Sequence, residues 1–262
     1  MTTIAGVDLI DLERRVKEMY SLVAEQPEAT YHFEMGRGLA QRLGYAPAVL
    51  DQIPAEALAS FAGVGHFFDL ARPVPGDRVL DLGSGSGTDV FAAAALVRPG
   101  GQVPGLDMTE AQLAKAERLR AAAGFGDIEF VRGHIDDLPF PDGAFTLVVS
   151  NGVINLAADK RKVFRAAARV LAPGGRLALA DIVSDRPLAE QITCNAELWA
   201  SCIGGAAQID DYRSAIEAAG LRIETLRDNP GYRFLSTPAR SATDSYGIRS
   251  ISLTAVKPFP PQ

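Results

Sequence analysis

Residues 79–89 read VLDLGSGSGTD, and the organisation of the chain follows from this stretch. The apolar run Val79–Leu82 comes after the turn residues PVPGD at 73–77 and predicts a buried strand. Gly83, Gly85 and Gly87 then alternate with serines ahead of a helix predicted over 88–97. Glycines between a strand and a helix permit positive φ and bring bare backbone N–H groups at a helix start against a ligand. A Walker phosphate loop would need Gly-Lys-Ser/Thr, and no lysine is present, so that reading fails. The dinucleotide fingerprint G-x-G-x-x-G would need glycine at 88, where Thr88 stands.

Outward from this loop the pattern alternates. Strands are predicted at 102–106, 128–131, 145–150, 176–183, 221–227 and 248–256, and helices at 109–122, 159–171 and 209–219. Such alternation forces parallel pairing with helices on both faces, a doubly wound, Rossmann-like α/β sheet. Residues 1–70 carry helical spacing at 8–21, 30–43 and 55–61 and no convincing strand, so they read as an N-terminal helical cap on a domain covering 71–262. Two segments break the alternation. Residues 184–208 form an insertion that holds both cysteines, and 228–247 form a polar link; the tail 257–262 is expected to be disordered. The basic run Lys160, Arg161, Lys162, Arg165 and Arg169 reads as the solvated face of one helix.

The glycine loop, preceded by Asp81, fits S-adenosylmethionine (SAM) as the ligand. Strand 102–106 ends in Asp107, twenty residues after Gly87, where a carboxylate can accept from both hydroxyls of a ribose. Met108 beside it offers a face for adenine, and in GHIDDLPF at 133–140 Ile135 and Asp136 offer an amide and a carboxylate to the adenine edge.

VLDLGSGSGTD, GLDM, IDDLPF and VLAPGGRLALADI together resemble the class I SAM-dependent methyltransferases, on the branch that holds the quinone C-methyltransferases and the arsenite methyltransferases. FAGVG at 61–65, DMTEAQLAKAE at 107–117, SNGVINLAADK at 150–160 and LWASCIGGA at 198–206 resemble the arsenite group. The resemblance spans about residues 55–225 and implies a seven-stranded sheet with the last strand antiparallel. It implies that Asp81, Gly83, Ser84 and Gly85 hold the methionine end of SAM, that Asp107 and Met108 hold ribose and adenine, and that Ile135 and Asp136 meet the adenine edge. Asn151, at the end of the fourth strand, would lie beside the sulfonium.

The departures fall on the acceptor side. Arsenite methyltransferases hold As(III), a soft metalloid, on several cysteine thiolates. Val64 and Gly152 stand at two of the family's cysteine positions, and only Cys202 matches a third. Cys194 lies eight residues earlier, about 80° around a helix, so the two thiols would face one cavity if that segment is helical. The resemblance implies Cys202 as a catalytic As(III) ligand, and the helical spacing adds Cys194, the pair being completed by an external thiol; as the alternative, both are small buried hydrophobes. His66, just after FAGVG, is a candidate base on the acceptor side, with a surface or capping role as its alternative.

Composition agrees with a small-molecule enzyme. Over 262 residues, 26 basic and 32 acidic side chains give a net charge of −6, which disfavours a nucleic-acid partner. No apolar run reaches the length of a membrane span, and two cysteines fit a cytosolic setting without a disulfide framework. The expected function is methyl transfer to a small acceptor, arsenite or a related thiol-bound species; the alternatives are an organic C-, N- or O-acceptor, and a SAM-binding regulator. Oligomeric state is not legible.

Overall fold

The structure, a computed structural model, describes residues 3–4, 7–193, 199, 203–235 and 237–260. The main sheet contains β3 (Val79–Leu82), β4 (Val103–Asp107), β5 (Ile128–Arg132), β6 (Phe145–Asn151), β7 (Leu171–Ser184), β9 (Arg222–Asp228) and β10 (Arg249–Val256), after a two-residue pair β1 (Thr3–Ile4) and β2 (Val7–Asp8) near the start. Its order is β5-β4-β3-β6-β7-β10-β9, with the short β8 (Ala207–Gln208) pairing β7. β10 runs antiparallel to both neighbours, and the others described pair in parallel. This is the class I methyltransferase sheet that the sequence implies.

The order places the site. From β3 the chain moves outward through β4 and β5, then returns to start β6 on the other side of β3. A crevice opens at the carboxyl ends of strands where such a sheet changes direction. The parallel registers Leu82↔Leu106 and Leu82↔Ser150 then bring Gly83, Asp107 and Asn151 to one level along that edge.

Each face of the sheet is covered, which is why its central strands β3 and β6 are largely apolar, while the edge strands β5 and β9 carry exposed charged residues. Val79, Val103, Leu147, Val149 and Ala178 pack on one face with Val90, Phe91 and Val97 of α6 (Thr88–Val97). Leu80, Leu82, Val148, Leu177 and Leu179 pack on the other with Val163 and Phe164 of α8 (Lys160–Val170) and Tyr212 and Ile216 of α10 (Ile209–Ala218). Between them in sequence lies α7 (Glu110–Ala123). Ahead of the sheet come α1 (Leu9–Glu25), α2 (Arg37–Leu43), α3 (Pro47–Leu50), α4 (Ala55–Ala59) and α5 (Phe68–Ala71).

Several expectations need correction. The helix predicted from residue 30 begins only at Arg37, because Gly36 sits at φ 89°; Tyr31, His32 and Phe33 instead form a ring cluster in the preceding loop. The link 228–247 contains a helix, α11 (Thr237–Tyr246), whose polar composition concealed it. Lys257 is not loose: its backbone pairs with Gly174 and Gly175, and its ammonium donates to the carbonyls of Ala168 and Leu171. Nor do Lys160 and Arg169 join the solvated face. Arg169 donates to the carbonyls of Leu138 and Phe140, and Lys160 turns inward to Ala157. The Lys160 ammonium lies 5.2 Å from the Trp199 ring, and burial lowers its pKa to about 8. In the 184–208 insertion, α9 (Glu190–Thr193) is described, whereas Cys194 and Cys202 lie outside the described residues.

Candidate functional site

A cavity of about 340 Å³ opens at the crevice. Asp81, Gly83, Ser84, Gly85, Asp107, Met108, Ile135, Asp136 and Asn151 all line it. The floor is the loop after β3. Gly83 has φ 73°, and a Cβ there would fall 2.5 Å from the Val153 methyls, so both backbone conformation and space require glycine. Ser84 lines the cavity, and its Oγ is buried against Gly105 with no hydrogen-bond partner among the described residues. Asp107 is fixed by its own backbone surroundings: its carboxylate accepts from the amides of Gly85 at 2.9 Å and Thr109 at 2.7 Å.

The electrostatics are one-sided. Among the described residues the lining contains Glu13, Asp81, Asp89, Asp107, Asp136 and Asp159, and neither lysine nor arginine. Asp136 is 3.0 Å from the Lys162 ammonium, Glu13 pairs with Lys17, and Asp159 caps α8 by accepting from the Lys162 amide. Among the described residues Asp81 and Asp89 have no cationic partner. Burial pushes the Asp81 carboxyl well up, and its neighbours Asp89 and Asp107 push it further. Burial also raises Asp89, to about 6, against the hydrogen bonds from Tyr45 and Asn151 that favour its charged form. A pocket whose uncompensated groups are carboxylates suits a cationic ligand. With the glycine floor, the residues present fit SAM, which carries an ammonium and a sulfonium.

The roof is α1, whose Leu12, Glu13, Val16 and Tyr20 line the cavity. Leu12 and Val16 pack with Trp199, and Gln112 Nε2 of α7 donates to the Tyr20 carbonyl. The far wall is the loop 61–65 against Gly152. Asn151 Oδ1 accepts from the amides of Val64 at 2.8 Å and Gly65 at 3.3 Å, and its Nδ2 donates to the Gly65 carbonyl and to Asp89. Asn151 is thus a clamp on this loop as well as a lining residue. Gly63 leaves room for the clamp, since a Cβ there would stand 2.6 Å from Asn151 Nδ2. Val64 and Gly152 face each other, a Cβ on Gly152 coming 3.1 Å from Val64 Cγ1.

His66 does not line the cavity. It lies behind Tyr45, ring centroids 4.6 Å apart, with Nδ1 3.2 Å from Asp69 Oδ1, and burial lowers its pKa. Asp89 and Tyr45 are functional candidates missed in the sequence. Asp89 follows the glycines by two residues and was legible as a polar residue at a helix start; Tyr45, forty-four residues away, carried no local signal.

A methyltransferase domain family matches residues 73–220. An arsenite methyltransferase from Halobacterium salinarum is 36% identical over 198 residues, 75% of this chain and 50% of that protein. Another, from Aquipseudomonas alcaligenes, is 41% identical over 177 residues, 63% of this chain and 49% of its own length. This chain therefore spans about half the length of these curated relatives. The crystal structure of an arsenic(III) S-adenosylmethionine methyltransferase from Chlamydomonas reinhardtii superposes with a TM-score of 0.67 at 34% identity, covering 83% of this chain and 75% of that one. The chain belongs to the class I SAM-dependent methyltransferases, on their arsenite methyltransferase-like branch, and its cofactor is S-adenosylmethionine.

Proposed function

We propose that this protein transfers a methyl group to a small acceptor, arsenite or a related thiol-bound species, in the cytoplasm. The observation that carries the reading is one cavity gathering all nine expected cofactor contacts, in a chain 36% identical to an arsenite methyltransferase. When bound, SAM supplies a methyl group on a positively charged sulfur, activated for in-line displacement. Asp81, Gly83, Ser84 and Gly85 hold the methionine end; Asp107 and Met108 the ribose and adenine; Ile135 and Asp136 the adenine edge, with Asp136 shared with Lys162. Asn151 lies beside the sulfonium and at the same time holds loop 61–65 as the wall through which the acceptor approaches. The helices before residue 71 act as a cap that excludes water. As(III) presents a lone pair, so the chain needs no general base for it; Cys194 and Cys202 would hold the substrate as thiolates with an external thiol.

The test is to supply reduced protein with As(III) and methyl-labelled SAM. Label is expected in methylated arsenic, with Cys202→Ser and Cys194→Ser lowering both As(III) affinity and turnover. Parent-level methylation by Cys202→Ser would remove the thiolate site from the proposal. A second reading, an organic C-, N- or O-acceptor, is favoured by the apolar contact between Val64 and Gly152 at two expected thiol positions. Label appearing only in organic acceptors would establish it.

A further inference from the structure

We infer that Asp89 is the counter-charge for the cofactor's sulfonium, so that the site distinguishes SAM from its neutral thioether product by charge. The inference rests on the cofactor placement proposed above. It starts from the bonding of the cavity's acids. Asp107 is held by two backbone amides, and Asp136 and Glu13 have cationic partners. Among the described residues Asp81, Asp89, Asp107 and Asp159 have no salt-bridge partner; Asp107 and Asp159 are bonded to backbone amides, which leaves Asp81 and Asp89, respectively 2% and 5% exposed, as the acids whose oxygens no backbone amide holds. SAM carries two fixed positive charges, the ammonium of its amino-acid end and the sulfonium. Asp81, at the end of β3 beside the glycine floor, belongs to the amino-acid end. Asp89 is left for the sulfur.

The geometry agrees with that pairing. Asp89 Oδ2 lies 3.0 Å from Asn151 Nδ2, the side chain placed beside the sulfonium, and both residues line the cavity. Tyr45 donates to Oδ1 from the side away from the lining, so the carboxylate is held between two neutral donors. Neutral donors orient a buried carboxylate without cancelling its charge, and such a charge is costly until a cation meets it. Tyr45 is itself only 2% exposed and Asn151 is bound to loop 61–65, so both donors are held in place beside the carboxylate. A sulfonium has no N–H or O–H to donate, so its recognition has to come from a charge fixed by other groups. After transfer the sulfur is neutral, the attraction is gone, and Asp89 is again uncompensated, which favours release of the product.

The experiment is calorimetric binding of three probes: SAM, S-adenosylhomocysteine, and sinefungin, whose amine puts a cation near the same point. In the unaltered protein SAM and sinefungin are expected to bind more tightly than S-adenosylhomocysteine; equal affinities would overturn the inference without any variant. Asp89→Asn is expected to weaken SAM and sinefungin by about tenfold or more and to leave S-adenosylhomocysteine within about twofold. Loss of affinity by the same factor for all three probes would overturn it, since that is what a purely structural Asp89 produces. Tyr45→Phe keeps the charge and is expected to preserve the ratio between SAM and S-adenosylhomocysteine; loss of the ratio there would also count against the assignment. Failure of the unaltered protein to bind any of the three would overturn the cofactor placement itself, a separate result.

Discussion

At the floor of the cavity Ser84 Oγ is buried without a partner, whereas at the far wall both ends of the Asn151 amide are bonded, to the Val64 and Gly65 backbone and to Asp89. The floor leaves a hydroxyl unbonded, and the wall uses its polar capacity to hold its own shape. The two regions also differ in how far substitution has reached them. The floor retains the glycines and carboxylates expected for SAM. The wall has Val64 against Gly152, an apolar contact where the family resemblance implies thiols. A cofactor fixes its own pocket tightly, because several dispersed groups must all be met; an acceptor is met by a few side chains, so its specificity can change through one or two of them.

The most severe way to break the floor is Gly83→Ala. The added methyl combines a disfavoured φ of 73° with an overlap at 2.5 Å from the Val153 methyls. Together these should cost roughly 2–4 kcal/mol of stability, and shifting the loop should abolish measurable SAM binding. Thermal melting and calorimetry would check both. An equivalent methyl on the wall, Gly152→Ala, meets Val64 Cγ1 at 3.1 Å, also at positive φ, and should cost less and leave SAM binding largely in place. If the two variants behaved alike, the contrast between floor and wall would fail.

The floor was legible because its determinants are local. Strand, three glycines, helix start and the next strand's terminal aspartate lie within 79–107, and each carries a backbone requirement that sequence displays directly. Six of the nine expected cofactor-site residues lie in or directly beside this stretch, and all nine line the cavity. The wall was less legible because it is assembled from distant pieces. Tyr45, loop 61–65, Asp89 and Asn151 meet only after β3 and β6 pair, and Tyr45 has nothing beside it in sequence to mark its partner. His66 misled for the same reason: closeness to FAGVG in sequence suggested the pocket, yet its ring lies behind Tyr45. Lys160 read as solvated because a charge run resembles a wet helix face, whereas the fold turns it inward onto the Ala157 carbonyl and the Trp199 ring.

A pH series sharpens the comparison with a smaller effect. An unfolded aspartate titrates near 3.9, and Asp89 in the fold is raised to about 6. The folded state therefore binds the proton more tightly. The associated stability is fully present below about pH 4 and is lost as pH rises through about 6, a change on the order of 3 kcal/mol. Asp81, raised by the same burial, acts in the same direction. The ligand-free protein should melt at lower temperature at pH 7 than at pH 5, and Asp89→Asn should flatten that slope. Saturating SAM should flatten it too, by supplying a cation to the charged form. A ligand-free protein with no such slope would mean that Asp89 is compensated after all.

The smallest expected effect concerns the roof, which belongs to neither region and closes over both. The last turn of α1 contains no basic residue, so its terminal carbonyls must be met from elsewhere. Lys115 of α7 supplies this: its ammonium donates to the Ala24 carbonyl at 2.9 Å and to Ser60 Oγ at 2.8 Å, and Ser60 in turn donates to the Val23 carbonyl at 2.9 Å. Lys115→Met preserves the apolar stem and removes both bonds, which should cost about 1 kcal/mol. Leu12 and Val16 still pack on Trp199, so the helix should stay folded but open more often. Amide exchange should quicken across residues 9–25 and not in β3 or β6, and SAM should dissociate faster with little change in its association rate. If exchange instead quickened throughout the sheet, Lys115 would be part of the core's stability and not a fastening of the roof. A variant with unaltered exchange in α1 would show that packing on Trp199 alone holds it down.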